Sequence, residues 1–332
     1  MRILFTGGYG NISWWCTKKA IDLGCEVYVL NREQTLATRR EIPAGVNIIN
    51  ADYRNFNAAK ESIGDIDFDV VCDFLCFNKD NAEKAYELFR AKTKQYILIS
   101  TESVFKREGI VSEKSNKYSE EEASPYILGK LQSERFFTEK YNKEHFPLTI
   151  VRPGYTLDTI LPYSIGHNCY TVAQRYIDGK PILIAGDGEN RWTFTHSSDF
   201  ANGFSAVFGN YDTLGEDFNI MGDTITTFND IMGILAKILV NKTPELLHIP
   251  YNDCIKLFPP EDLIKQRMEN AIFDTTKIKT LNPAWETKMG VNDIVRSTIK
   301  WLNEDSRRKR FNKDLDEKLE SITLKYRGEN DR

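Results

Sequence analysis

The sequence predicts an α/β fold, a doubly wound parallel sheet followed by a smaller C-terminal α/β part. Three observations carry that expectation. Apolar strand-like runs alternate with helical periodicity through the first half, the pattern of a parallel sheet covered on both faces. A glycine turn stands directly between the first such run and the first helix. After Pro153-Gly154 the alternation loosens and turn signals crowd at Gly179, Gly186-Asp187-Gly188 and Gly222-Asp223, where a second part begins. A chain of 332 residues accommodates both parts.

The elements follow in order. Arg2–Phe5 is a short apolar strand, Gly7–Gly10 a turn, and Trp14–Leu23 a helix stopped by Gly24. Glu26–Leu30, Val46–Asn50 and Phe68–Phe74 read as the next strands, the last almost wholly apolar. Asn81–Thr93 has amphipathic helical spacing, and Tyr96–Ser100 is a fifth strand. The polar stretch Lys106–Ser124 reads as a surface excursion. Pro125–Tyr141 is a long helix opened by proline, and Leu148–Arg152 another strand. Later come helices at Phe200–Phe208, capped by Asp199, at Asn229–Val240, and at Ser306–Tyr326 with Leu315, Leu319, Ile322 and Tyr326 on one stripe.

Composition narrows the function. Lys and Arg number 44 against 48 Asp and Glu, a net charge of −4, which argues against a dedicated nucleic-acid or anionic-membrane binder. No run approaches the roughly 20 apolar residues of a membrane span. The N-terminus enters a strand at once without a leader-like pattern, so a cytoplasmic protein is expected. The six cysteines, Cys16, Cys25, Cys72, Cys76, Cys169 and Cys254, form no CxxC pair and read as reduced thiols. His145, His167, His196 and His248 lack ligand spacing, so no metal is expected.

The chemistry concentrates in a few segments. Gly7 to Ser13 has the spacing G-x-x-G-x-x-S between strand and helix, where backbone N–H groups can approach a pyrophosphate at a helix N-terminus. Ser13 stands where a third glycine would allow close packing. The second strand ends at Asn31 and Arg32 without the carboxylate that would bind the adenosine ribose of NAD. A guanidinium there suits a 2′-phosphate, so NADP(H) is favoured over NAD(H); a solvated arginine is the alternative. Asp52 is a candidate for the adenine amine. In Tyr126-Ile-Leu-Gly-Lys130 the tyrosine and lysine share a helical face. A cation near the phenol would lower its pKa and make Tyr126 a general acid/base. A second Y-x-x-x-K, Tyr176 to Lys180, is interrupted by Gly179 and should not share a face. Thr101, at the end of the fifth strand, would present a hydroxyl to the crevice above the strand ends, or else cap the strand.

The ordered set TGGYGNIS, NADYRN, VCDFLCF, ISTESVF, YILGK, IVRPGYT and GDGENRWTFTHSSDFANG resembles the extended short-chain dehydrogenase/reductases of the NAD-dependent epimerase/dehydratase family, which includes nucleotide-sugar enzymes. The resemblance covers about residues 1–205, with weaker similarity to about residue 300. It implies a Rossmann-type dinucleotide-binding domain over residues 1–155, with 191–218 packing back on it. Residues 156–190 and 219–332 would form the substrate-binding part. It further implies Thr101 as the substrate-positioning hydroxyl, Tyr126 as acid/base and Lys130 on the nicotinamide ribose. Gly7, Gly10, Asn11, Ile12, Asp52, Leu75 and Pro153 would contact the cofactor, and a homodimer is expected.

Two departures from the family pattern bear on the reaction. Dehydratases of this type carry Asp-Glu after the threonine, whereas this chain has Glu102-Ser103. Glu102 could replace the acid, and Ser103 cannot serve as the carboxylate base. The arginine that grips a diphosphate in epimerases falls on Trp192, with Arg191 one residue earlier. Arg191 could compensate, and Trp192 either stacks on the substrate or belongs to the core. The run Arg307-Arg308-Lys309-Arg310 reads as a solvated face or subunit contact. The expected function is NAD(P)-dependent hydride transfer on a sugar, nucleotide-linked, by an epimerase, dehydratase or keto-reductase. The alternative is a catalytically silent relative, a cofactor-binding sensor or RNA-associated protein.

Overall fold

Seven parallel strands build the main sheet of the computed structural model. It describes residues 1–32, 39–166, 169–258 and 264–330, with side chains to Arg327; His167 lies outside them. The strands β1 (Arg2–Thr6), β2 (Glu26–Asn31), β3 (Val46–Asn50), β4 (Phe68–Asp73) and β5 (Thr93–Ile99) alternate with helices α1 (Ser13–Asp22), α2 (Phe56–Ile63) and α3 (Lys79–Phe89). Helix α4 (Pro125–Glu144) leads into the strand Leu148–Pro153, and Asp217–Ile220 closes the edge. Spatially the order is Asp217–Ile220, Leu148–Pro153, β5, β4, β1, β2, β3. The chain therefore starts in the middle and winds outward both ways, which leaves a crevice at the carboxyl ends of the central strands.

Period-two alternation decides what each sheet face buries. Ile3 and Phe5 pack with Val29, Ile97, Phe200 and Phe204 on one side. Leu4 packs with Leu30, Val71, Tyr96, Phe89 and Phe137 on the other. The helix Ser197–Phe204 thus returns to cover the main sheet from the second half of the chain. A third core joins Tyr176, Ile184, Trp192, Phe194, Met232, Ile294 and Leu319. It underlies a three-stranded sheet of Thr224–Thr227, Arg191–His196 and Tyr155–Leu157, and the parallel pair Ile182–Ala185 and Leu246–Ile249.

Several boundaries differ from the sequence reading, each for a local reason. Helix α2 goes unread because it buries little beyond Ala59 and Ile63; Asn55 starts it by accepting from the Ala58 N–H. Helix α3 ends at Phe89, and β5 begins at Thr93 rather than Tyr96. The 106–124 excursion is not wholly superficial: Ile110–Val111 pairs with Ile272–Phe273, and the Arg107 side chain is buried. His196, not Asp199, caps the helix Ser197–Phe204. Buried Asp199 instead accepts from the Lys288 and Met289 N–H groups, at 3.1 and 3.0 Å. The last helix begins at Lys313, so the arginine run precedes it, with Arg307 on Asp305 and Arg308 on Glu304. All six cysteines are free. Among the described residues no helix is long and apolar enough to cross a membrane.

Candidate active site

Four of the expected site residues lie at the carboxyl edge of the sheet because each follows the end of a parallel strand. Gly7 follows β1, Arg32 follows β2, Leu75 follows β4 and Thr101 follows β5. Gly7 has φ +73°, a left-handed conformation that favours glycine, and a side chain on it would strike Leu75. Ser13 closes the turn in place of a third glycine: its hydroxyl donates to the Gly7 carbonyl at 2.6 Å and accepts from the Gly10 N–H at 2.8 Å. The Asn11 amide donates to the Thr156 carbonyl at 2.8 Å and its oxygen accepts from the Thr159 N–H at 2.9 Å. This clasp ties the turn to the second part. No side chain caps α1, and among the described residues the Asn11 and Ile12 N–H groups have no acceptor. Unclaimed donors at a helix N-terminus suit a pyrophosphate.

At the tip of β2, Arg32 is exposed and lies 4.0 Å from Asp52, which also pairs with Arg54 at 3.3 Å. The Arg54 contacts, with Arg32, hold the Asp52 carboxyl below its ordinary range. Two further arginines come near this point. The Arg39 guanidinium is pulled below its usual pKa by burial and then by the nearby charges of Arg32 and Arg310.

The Tyr126–Lys130 pair stands near the start of α4, which Ser124 caps by accepting from the Ile127 N–H. Gly129 permits the docking of this helix: a Cβ there would come within 2.3 Å of the Phe77 carbonyl. Further along, Glu134 is held by buried Arg152 at 2.7 Å and by Lys117 at 2.7 Å. Lys130 is buried and donates to the carbonyls of Cys76, at 2.7 Å, and Ile99, at 2.8 Å. Burial lowers its pKa, against the influence of Cys76, Asp73 and Glu134.

Tyr126 is half-buried. Burial raises the pKa of its phenol, the Thr101 side chain acts in the lowering direction, and Glu102 adds to the rise. The expected lowering by Lys130 is therefore not what the structure has: the lowering influence on the phenol is Thr101, and desolvation outweighs it. Thr101 caps the short turn Glu102–Val104 by accepting from the Ser103 N–H at 3.3 Å. Its hydroxyl hydrogen is left for another acceptor. The second motif does come apart: Tyr176 ends in the C-terminal core, Gly179 breaks the helix at φ +80°, and Lys180 pairs with Glu320 at 2.9 Å.

Glu102 is buried and ion-paired with Arg107, whose guanidinium lies 5.5 Å from the Trp192 ring and 5.2 Å from that of Phe273. Trp192 itself belongs to the core, against Tyr155 and Phe228, with its indole N–H on the Glu269 carbonyl at 2.9 Å. That burial excludes the stacking role considered for it. Arg191 is exposed at the start of its strand, and Pro153 is buried at the end of its own. Arg107 was hidden in the sequence by the polar excursion around it.

A doubly wound sheet with a glycine turn at its centre, and a Thr–Tyr–Lys set at its carboxyl edge, define the extended class of short-chain dehydrogenase/reductase enzymes. The chain belongs to the NAD dependent epimerase/dehydratase family, whose sequence profile matches residues 3–220. It is 24% identical over 338 residues to the chloroplast stem-loop binding protein of 41 kDa b of Arabidopsis thaliana, covering 97% of this chain and 84% of that protein. It is 26% identical over 210 residues to an uncharacterized UDP-glucose epimerase, YtcB, of Bacillus subtilis, covering 60% of this chain and 59% of that one. Among solved structures, UDP-glucuronic acid 4-epimerase from Bacillus cereus in complex with NAD aligns with TM-score 0.70 at 19% identity, covering 92% of this chain and 99% of that one. The dTDP-glucose 4,6-dehydratase of Bacillus anthracis, also with NAD, aligns with TM-score 0.71 at 16% identity over 93% and 98%.

Proposed function

We propose that this chain is an NAD(P)-dependent enzyme that transfers hydride at a carbinol carbon of a nucleotide-linked sugar. The observation that carries it is that the Thr101 side chain meets the Tyr126 phenol, while Lys130 reaches the Cys76 carbonyl, next to the Leu75 that packs at Gly7. When bound, the nicotinamide supplies a hydride acceptor and donor. Tyr126 takes the proton from the sugar hydroxyl as that carbon is oxidised and returns it on reduction; Thr101 orients the same hydroxyl. Lys130 holds the ribose. Glu102 is taken up by buried Arg107, and Ser103 stands where the dehydratases carry their second carboxylate. This supports epimerisation or keto-reduction over dehydration. The test is incubation of the protein with UDP- and dTDP-hexoses and either dinucleotide, followed by proton NMR of the sugar. A new epimer or a reduced keto-sugar is expected; a 4-keto-6-deoxy product would overturn the exclusion of dehydration.

The finer cofactor choice rests on Arg32 and Arg39, whose neighbouring like charges a 2′-phosphate would relieve. Asp52 offsets one of them, and NAD is the group present in the complexes of similar structures. We expect NADP(H) to bind the parent more tightly, and Arg32→Asp to reverse the order. Titration of both cofactors decides it: a parent that prefers NAD(H), unchanged by the substitution, removes the role of Arg32. A homodimer in the cytoplasm belongs to the same proposal, and light scattering reads its mass.

A second reading has one specific observation behind it, the stem-loop binding protein that matches nearly the whole chain. It would make this a nucleic-acid binder on the same fold. The net charge of −4 and the complete Thr–Tyr–Lys set support the enzyme instead. Fluorescence anisotropy with a labelled RNA hairpin at low and moderate salt separates the two.

A further inference from the structure

The carboxyl end of β4 holds a fully buried carboxylate, Asp73. One of its oxygens accepts from the Thr6 hydroxyl at 2.6 Å and from the N–H groups of Leu75, at 2.8 Å, and Cys76, at 3.1 Å. The other accepts from the hydroxyls of Tyr53 and Tyr96, both buried. Five neutral donors on one carboxylate replace the hydrogen bonds to water that burial removes.

The two N–H contacts fold the chain after β4 into a turn closed by the aspartate side chain. That turn has two consequences at the site. It presses Leu75 against the glycine turn, where a Cβ on Gly7 would approach Leu75 to 2.8 Å. It also aims the Cys76 carbonyl at the Lys130 ammonium, 2.7 Å away. Thr6, the residue before Gly7, joins the same network and accepts from the Phe74 N–H at 3.2 Å.

We infer that Asp73 is a positioning residue: its turn places the Cys76 carbonyl on Lys130, and its carboxylate acts electrostatically on that buried ammonium. The inference rests on the placement of Lys130 in the proposed function. The groups facing the ammonium are the Cys76 and Ile99 carbonyls, the Phe77 ring, the Cys76 thiol, Asp73 and Glu134. Glu134 is taken up by Arg152 and Lys117, whereas the hydrogen bonds to Asp73 come from neutral donors. Burial depresses the Lys130 pKa, and Asp73 is among the groups that resist this.

Asp73→Asn tests the role, because an amide oxygen can still accept from the Leu75 and Cys76 N–H groups while the charge is gone. The readout is the titration of Lys130, followed by NMR of protein labelled with carbon-13 at lysine Cε, with Lys130→Met assigning the signal. In Asp73→Asn the midpoint should move to lower pH, and dinucleotide affinity should fall about tenfold, the scale of one weakened charge-assisted contact. A folded variant with an unmoved midpoint overturns the inference. Where Asp73→Asn does not fold, Asp73→Ser keeps a side-chain oxygen for the turn without the charge: a lowered midpoint supports the inference, and an unchanged one overturns it. The titration needs no dinucleotide. A parent that binds none therefore defeats the proposed function, while a moved midpoint still supports the coupling of Asp73 to Lys130.

Discussion

Tyr126→Phe is expected to lower turnover on the order of 10²–10⁴-fold, the scale for losing a positioned acid/base, while folding and cofactor binding survive. The substitution removes one hydroxyl from a half-buried side chain whose neighbours are Thr101 and Glu102. Burial raises the phenol's pKa, so at neutral pH it is protonated in the free protein. In the direction where it must accept a proton, the rate should therefore rise with pH, and Tyr126→Phe should lose that limb. Lys130→Met should weaken dinucleotide binding as well as slow turnover. Tyr176→Phe, from the interrupted motif in the C-terminal core, should leave the chemical step unchanged. Steady-state kinetics on the sugar identified by NMR reads all three. Parental turnover in Tyr126→Phe, with loss in Tyr176→Phe, would move the active site to the other tyrosine.

Gly10→Asp should abolish detectable dinucleotide binding and leave the fold intact. A Cβ on Gly10 meets the Ser13 hydroxyl at 3.2 Å and little else, so the backbone tolerates a side chain there. Gly7 would make a poorer probe, since its positive φ and its contact with Leu75 would disturb the fold itself. The added carboxylate would stand beside the Asn11 and Ile12 N–H groups, where the phosphates are proposed to lie, and repel them. Isothermal titration with NAD(H) and NADP(H), alongside circular dichroism, checks the expectation. A folded variant that binds as tightly as the parent would remove the pyrophosphate from this turn.

What the sequence made legible follows from how local each signal is. The strands of the main sheet stand out because Ile3 to Phe5 or Val70 to Cys72 are buried on both faces and leave unbroken apolar runs. The glycine turn and Y-x-x-x-K motif are likewise contiguous. Helix α2 leaves no such signal, because one turn of burial does not make a period. The residues that escaped notice act across the chain. Arg107 reaches Glu102 and rings from two later strands, and Asp73 reads in sequence as the end of an apolar run. Arg39 and Arg310 meet near Arg32 only after folding. Trp192 could not be decided from sequence because an aromatic residue serves a core and a sugar equally well; its neighbours Tyr155 and Phe228 decide it.

The most direct test of the central claim is native mass spectrometry of the purified protein, paired with its ultraviolet absorbance. Epimerisation returns the hydride within one cycle, so the dinucleotide need not leave, and keto-reduction requires its exchange. Either way the folded chain should bind one dinucleotide per subunit. The expected spectrum therefore shows a mass increment of NAD(H) or NADP(H), present on purification or after addition of either cofactor, and absent in Gly10→Asp. A parent that stays at its apo mass with both cofactors, while still folded, would contradict the assignment of this crevice to a nicotinamide dinucleotide.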